Sequence, residues 1–135
     1  MATLHKEIVI DAPASRVWDA VRDVGAAHRR LVPGILTSVS LEPGARIVTF
    51  TNGMVVRELI VSIDDERRRF AYSAVGGRAS HHNASMQVFD DGPQRCRLVW
   101  ITDLLPDDIA PAISSLVELG SAAMQKAMGS GTLSE

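Results

Sequence analysis

DIAPAISSLVELGSAAMQKAM, residues 108–128, carries apolar positions at Ile109, Ile113, Leu116, Gly120, Met124 and Ala127. Steps of three and four put these on one face of a helix. Ser114, Glu118, Ser121 and Gln125 form a polar stripe one position over. Proline lacks the N–H that an interior helical bond needs, so Pro111 belongs in the first turn, with Asp107 and Asp108 as capping residues and Asp108 at the N-cap. The helix then runs about five turns, roughly 30 Å. Gly120 sits in the middle of the apolar face, where it costs about 1 kcal/mol relative to alanine. A side chain missing there predicts either close approach by another element or a cavity.

Upstream of this helix the chain alternates in short runs at 35–41, 46–51, 54–63, 69–75, 80–89 and 95–104, broken by turn residues such as Pro43-Gly44 and Gly76-Gly77. Asn52-Gly53 between two such runs predicts a hairpin with positive φ at both residues. Short turns between consecutive strands imply an antiparallel sheet. Residues 3–10 make a first strand, after which the period changes. Val17, Trp18, Val21 and Val24 recur at helical spacing, with Asp11 as cap, Pro13 in the first turn and Gly25 at the end. Residues 26–31 predict a second short helix, closed off by Pro33-Gly34. The expected class is α+β: a curved antiparallel sheet of about seven strands around one long C-terminal helix, with two short helices after the first strand.

A chain of 135 residues makes one domain with a single core. Residues 1–128 form it, and the Gly-Ser-rich stretch 129–135 reads as a disordered tail. A net charge of −2 with mixed signs supplies no field for nucleic acid or an anionic membrane. No stretch reaches the ~20 apolar residues that membrane insertion needs. Residues 1–7 hold no signal core, so a cytoplasmic location is expected. Cys96 is the lone cysteine, which excludes an intrachain disulfide and a multi-cysteine metal site. His81 and His82 are neighbours on a strand, point to opposite faces and cannot chelate one metal. There is no G-x-S-x-G and no phosphate-cradling glycine loop. No cofactor is implied.

Residues 10–21, Ile-Asp-Ala-Pro-Ala-Ser-Arg-Val-Trp-Asp-Ala-Val, resemble the I-x-A-P-x-x-x-V-W-x-x-V opening of the START-like (SRPBCC) helix-grip superfamily. That group includes bacterial polyketide cyclase/dehydrase-like proteins and the plant abscisic-acid receptors. Asp64-Asp65-Glu66-Arg67-Arg68 through Tyr72 to Gly76-Gly77 is similar to the receptors' central hairpin. Leu116-Val117-Glu118-Leu119 is similar to part of their last helix. The resemblance implies a cavity between sheet and last helix that holds a small apolar or amphipathic molecule: a lipid, an aromatic or a polyketide-like compound. By position it places Glu58, Tyr72 and Ala74 on that cavity. Ala84, Met86, Leu98 and Trp100 follow from later strands, and Ala112, Leu116, Gly120 and Met124 from the helix. Strand alternation independently puts Leu98, Trp100, Thr102 and Leu104 on one face, and gives His82 the parity of Ala84 and Met86. Two features depart from the receptors. Ile35-Leu36-Thr37-Ser38 holds no lysine to anchor a carboxylate, and a tight Thr51-Asn52-Gly53-Met54 turn replaces their gate loop. The ligand need not be anionic.

Individual residues leave alternatives. Glu58, among Val55, Val56, Leu59 and Ile60, is either a cavity carboxyl or an outward carboxylate paired with an arginine. His82 is either a polar group at the cavity mouth or a rim histidine, and His28 reads as surface. Tyr72 and Trp100 are core or ligand platform, and Trp18 is structural. Met54, Met86 and Met124 fit an adaptable pocket or plain core. Arg67-Arg68-Arg69 reads as a solvated turn and Asp103 as outward. Three functions follow. The first is a carrier or sensor of a small apolar molecule. The second is an enzyme of the cyclase/dehydratase kind, with Glu58, Tyr72 and His82 as catalytic candidates. The third is a stress-linked interaction domain without ligand, which predicts a solid core and an exposed apolar patch. Outward Val99 and Ile101 leave room for such a patch, or for a homodimer through the sheet face.

Overall fold

The computed structural model describes residues 2–129. Strand β1 (Ala2–Ile10) leads into helix α1 (Ala14–Arg22), a 3-10 turn (Val24–Ala26) and the short helix α2 (Ala27–Arg30). Six strands follow: β2 (Leu36–Glu42), β3 (Ala45–Phe50), β4 (Val55–Asp64), β5 (Arg69–Val75), β6 (His81–Asp90) and β7 (Cys96–Leu105). A second 3-10 turn (Asp107–Ile109) opens the long helix α3 (Ala110–Met128). All neighbouring strands pair antiparallel in the order β1-β7-β6-β5-β4-β3-β2, so the first and last strands lie side by side. The register slips between Leu36 and Ser38 and between Ile60 and Ser62. Each extra residue bends its strand, and the sheet curves around the helix side. The expected α+β helix-grip class is the observed one.

The short-range signals worked less evenly. Pro13, not Asp11, stands at the N-cap of α1, and it offers no side-chain cap. The Asp11 N–H instead donates to the Gly129 carbonyl at 2.9 Å. Helix α1 ends at Arg22, short of Gly25, and Arg30 reaches back from α2 to hold Asp19 at 2.6 Å and Asp23 at 2.8 Å. Asp108 lies inside the 3-10 turn and Ile109 takes the N-cap of α3, leaving Pro111 as its second residue. The Asn52-Gly53 hairpin forms, but only Gly53 has positive φ. Gly53 N–H bonds the Phe50 carbonyl and Phe50 N–H the Met54 carbonyl, a three-residue loop closed by a glycine bulge.

Helix α3 lies along the edge strand β1. Lys6 pairs with Glu118 at 2.9 Å, and Gln125 donates to the Val9 carbonyl at 2.9 Å. The expected polar stripe is therefore partly turned inward: Gln125 covers an edge-strand carbonyl, and buried Ser121 donates to Val117 O at 2.7 Å. The C-terminal half of the helix packs solidly, with Met124 and Met128 against Ile8, Ile10, Val17 and Leu98. Trp18 belongs to this core and ties it to the β4–β5 turn through Nε1–H to Asp65 at 3.0 Å. Gly129, first of the residues expected to be disordered, caps α3 by donating to Gln125 O, while 130–135 lie outside the described residues. Its φ of 144° and the Asp11 carbonyl against any added Cβ make this site intolerant. Gly129→Ala is expected to destabilise by about 2 kcal/mol or more, read as a lower urea midpoint.

Candidate ligand cavity

Where α3 carries Ile113, Leu116, Val117 and Gly120 instead of Met124 and Met128, its packing opens. A cavity of about 100 Å³ lies between this half of the helix, α2 and strands β2 to β7, where a single water needs roughly 10–15 Å³. The walls are mainly apolar: Leu31, Val32 and Leu36 on one side, Val48, Phe50 and Met86 on another. At Gly120 the helix meets a side chain of the sheet directly. A Cβ added there would stand 3.2 Å from the Trp100 ring and 3.9 Å from Val32. Both alternatives raised by Gly120 hold at once: an indole packs on it, and space opens beside that indole.

One end of the cavity is charged. Arg46 and Glu58 face each other across β3 and β4, and the Arg46 Nε–Glu58 Oε1 distance is 2.8 Å. Their side chains are only 5% and 12% exposed. Arg46 also donates to the Val24 carbonyl at 3.1 Å. Its guanidinium stands 5.1 Å from the Phe70 ring centre and 5.6 Å from that of Tyr72, two rings that stack on each other at 5.3 Å. A buried cation is tolerable when its donors are met and aromatic faces surround it. Glu58 thus combines its two sequence readings, facing the cavity while paired with an arginine. The partner was missed because Arg46 follows a Gly44 turn and looks like a surface residue. Its strand parity with Val48 and Phe50 was the available signal.

Next to this pair, burial and then the Glu58 charge push the Tyr72 phenol well above its ordinary value, with Arg46 opposing. The hydroxyl stays protonated and is a hydrogen-bond donor. Trp100 Nε1 is buried without a hydrogen-bond partner, although it lies close enough to Tyr72 to favour the phenolate slightly. His82, half-buried on the cavity wall, is held below its ordinary 6.5 by burial and then by neighbouring His81. The folded state therefore binds this proton less tightly than the unfolded chain. Stability that is present above 6.5 is lost as the pH falls, and His82→Gln is expected to flatten the drop in urea midpoint between about pH 7 and pH 5. Cys96 is buried, with burial and then Asp90 pushing its thiol up to about 11, so it supplies no thiolate.

The structure brings Glu58, Tyr72, His82, Met86, Trp100 and Thr102 to the cavity, with Leu116 and Gly120 across from them. Other expected lining residues fall elsewhere. Ala84, Leu98 and Met124 are in the solid core, which fills the sheet beyond Trp100. Ala74 does not line the cavity, and Ala112 is exposed because the start of α3 turns it outward. Met54 is exposed in the β3–β4 loop. His28 is half-buried with Nδ1 unpartnered and is not on the cavity wall. Asp103 faces outward, where it accepts from Thr3 at 2.7 Å. Besides Arg46, the unforeseen wall residues are Val48 and Phe50 on β3, Ile113 and Val117 on α3, and a group from α2 and the segment after it, where irregular backbone carries no periodicity to read. Among the described residues no cluster of His, Cys, Asp or Glu could hold a metal ion, and no helix is long and apolar enough to cross a membrane.

A curved seven-stranded antiparallel sheet, two short helices after β1 and a cavity under a long last helix define a START-like helix-grip protein. The chain belongs to the family described as polyketide cyclase / dehydrase and lipid transport, whose model matches residues 1–132. Among solved structures it is similar to the protein XoxI from Bacillus cereus, at 17% identity and a TM-score of 0.85 over 95% of this chain and 96% of that one. It is also similar to the di-domain ARO/CYC BexL from the BE-7585A biosynthetic pathway, at 18% identity and TM-score 0.81 over 94% of this chain and 46% of the larger one. A third similar structure is norcoclaurine synthase from Thalictrum flavum in complex with dopamine and hydroxybenzaldehyde, at 18% identity and TM-score 0.70 over 98% and 89%. At these identities the likeness is one of fold. No curated protein matches the chain.

Proposed function

We propose that the protein takes up a small, largely apolar molecule of aromatic or polyketide-like character in this cavity and acts as its carrier or sensor. The observation that carries the reading is the cavity itself: mainly apolar walls with a few polar side chains among them, the usual composition of a small-molecule site. A family that combines polyketide chemistry with lipid transport supports the same class of ligand. A cyclase or dehydratase reading draws on Glu58, Tyr72 and His82, which line one space. For that reaction Tyr72 is a donor and neutral His82 the better proton acceptor, since Glu58 is already engaged by Arg46. Carriage needs only the walls and is placed first. Titration with the neutral fluorophore 1-aminoanthracene tests it. Saturable one-to-one uptake with a change in Trp100 emission is expected; dye that binds only non-saturably, or not at all, would overturn it.

A further inference from the structure

The charged end of the cavity implies which molecules it accepts. Arg46 is the buried cation of the cavity wall; its charge is balanced by Glu58 at Nε, its Nη1 donates to Val24 O, and two rings lie against its faces. The pair is neutral as a whole, so an acid gains no net positive charge from it. A carboxylate in the cavity adds a second negative charge beside Glu58, and an ammonium a second positive charge beside Arg46, in a space lined mainly by apolar side chains. Glu58 Oε1 is taken by Arg46, while Oε2 remains for a donor inside the cavity, and Tyr72 nearby offers a proton to an acceptor. From this geometry we infer that the Arg46–Glu58 pair makes the cavity selective for uncharged aromatic molecules that carry a hydroxyl, which donates to Glu58, and selective against acids.

This inference rests on the ligand-binding reading, and isosteric probes separate the two. Titration calorimetry compares 2-naphthol, 2-methylnaphthalene and 2-naphthoate at neutral pH. The native protein is expected to bind the naphthol about tenfold or more tighter than the methyl compound, and the naphthoate weakest. Glu58→Gln frees Arg46 and is expected to invert the order, so that naphthoate binds tighter than naphthol. Should that variant not fold, the double variant Arg46→Met with Glu58→Met replaces the pair by similar apolar volume. It is expected to keep 2-methylnaphthalene and lose the preference for the hydroxyl. Equal binding of all three probes, or a hydroxyl preference that survives the double variant, would overturn the inference while leaving ligand binding intact. Binding of none of them would count against the underlying reading itself.

Discussion

Glu58→Gln is expected to destabilise the protein by about 3 kcal/mol or more, the largest loss we anticipate from a change on the cavity wall. The amide is nearly the same size as the carboxylate, so packing is unchanged and the cost is electrostatic. Arg46 has left water and has no second carboxylate to turn to: its other contacts are the neutral Val24 carbonyl and the Phe70 and Tyr72 rings. The open cavity lets some water reach the pair, which holds the estimate at the lower end of the usual range of about 3–5 kcal/mol for breaking a buried pair. The double variant Arg46→Met with Glu58→Met should be near neutral, because no charge is left without a partner. Urea unfolding of the three proteins checks both statements. If the single and double variants lose the same stability, the pair is solvated like a surface bridge, worth about 0–1 kcal/mol, and the account of a charged cavity end is wrong.

Gly120→Leu is expected to abolish ligand uptake while leaving a folded protein. A Cβ at this position already stands 3.2 Å from the Trp100 ring, so the rest of a leucine drives the indole away from the helix. The space beside the ring is the cavity, and the displaced indole fills it. Overpacking of this kind costs about 1–3 kcal/mol. Gly120→Ala separates the two effects. It gains up to about 1 kcal/mol of helix propensity and asks Trp100 to give only a few tenths of an ångström, so it should leave the protein folded with weakened uptake. Calorimetric binding and thermal unfolding on both variants measure this. Undiminished binding by Gly120→Leu would place the ligand somewhere other than beside Trp100.

The architecture was legible because it rests on long signals. Alternation in each strand and the three-four spacing of the last helix survive any local error at a cap. The N-caps failed for a local reason. Residue type points to Asp11 and Asp108, whereas the backbone of Asp11 is engaged by Gly129 and α3 opens through a 3-10 turn. Met86, Trp100 and Thr102, which alternation sets on one face of their strands, line the cavity, as does Tyr72, which the family resemblance supplies. Alternation does not say where along a strand the cavity gives way to solid core, and Leu98 and Ala84, which the resemblance sets on the wall, lie in that core. That limit depends on how α3 is set against β1, through Lys6–Glu118 and Gln125–Val9, contacts more than a hundred residues apart in the chain. Arg46 was illegible for a related reason: a buried arginine makes sense only once its partner across the hairpin and the rings beneath it are in place.

The most direct test of the central claim is native mass spectrometry of the protein freshly isolated from its own host, with any bound mass identified after denaturation. One small, uncharged, largely apolar and hydroxylated molecule per chain is expected, lost in Gly120→Leu. A native protein that emerges with no such mass and also takes up none of the neutral aromatic probes would contradict it.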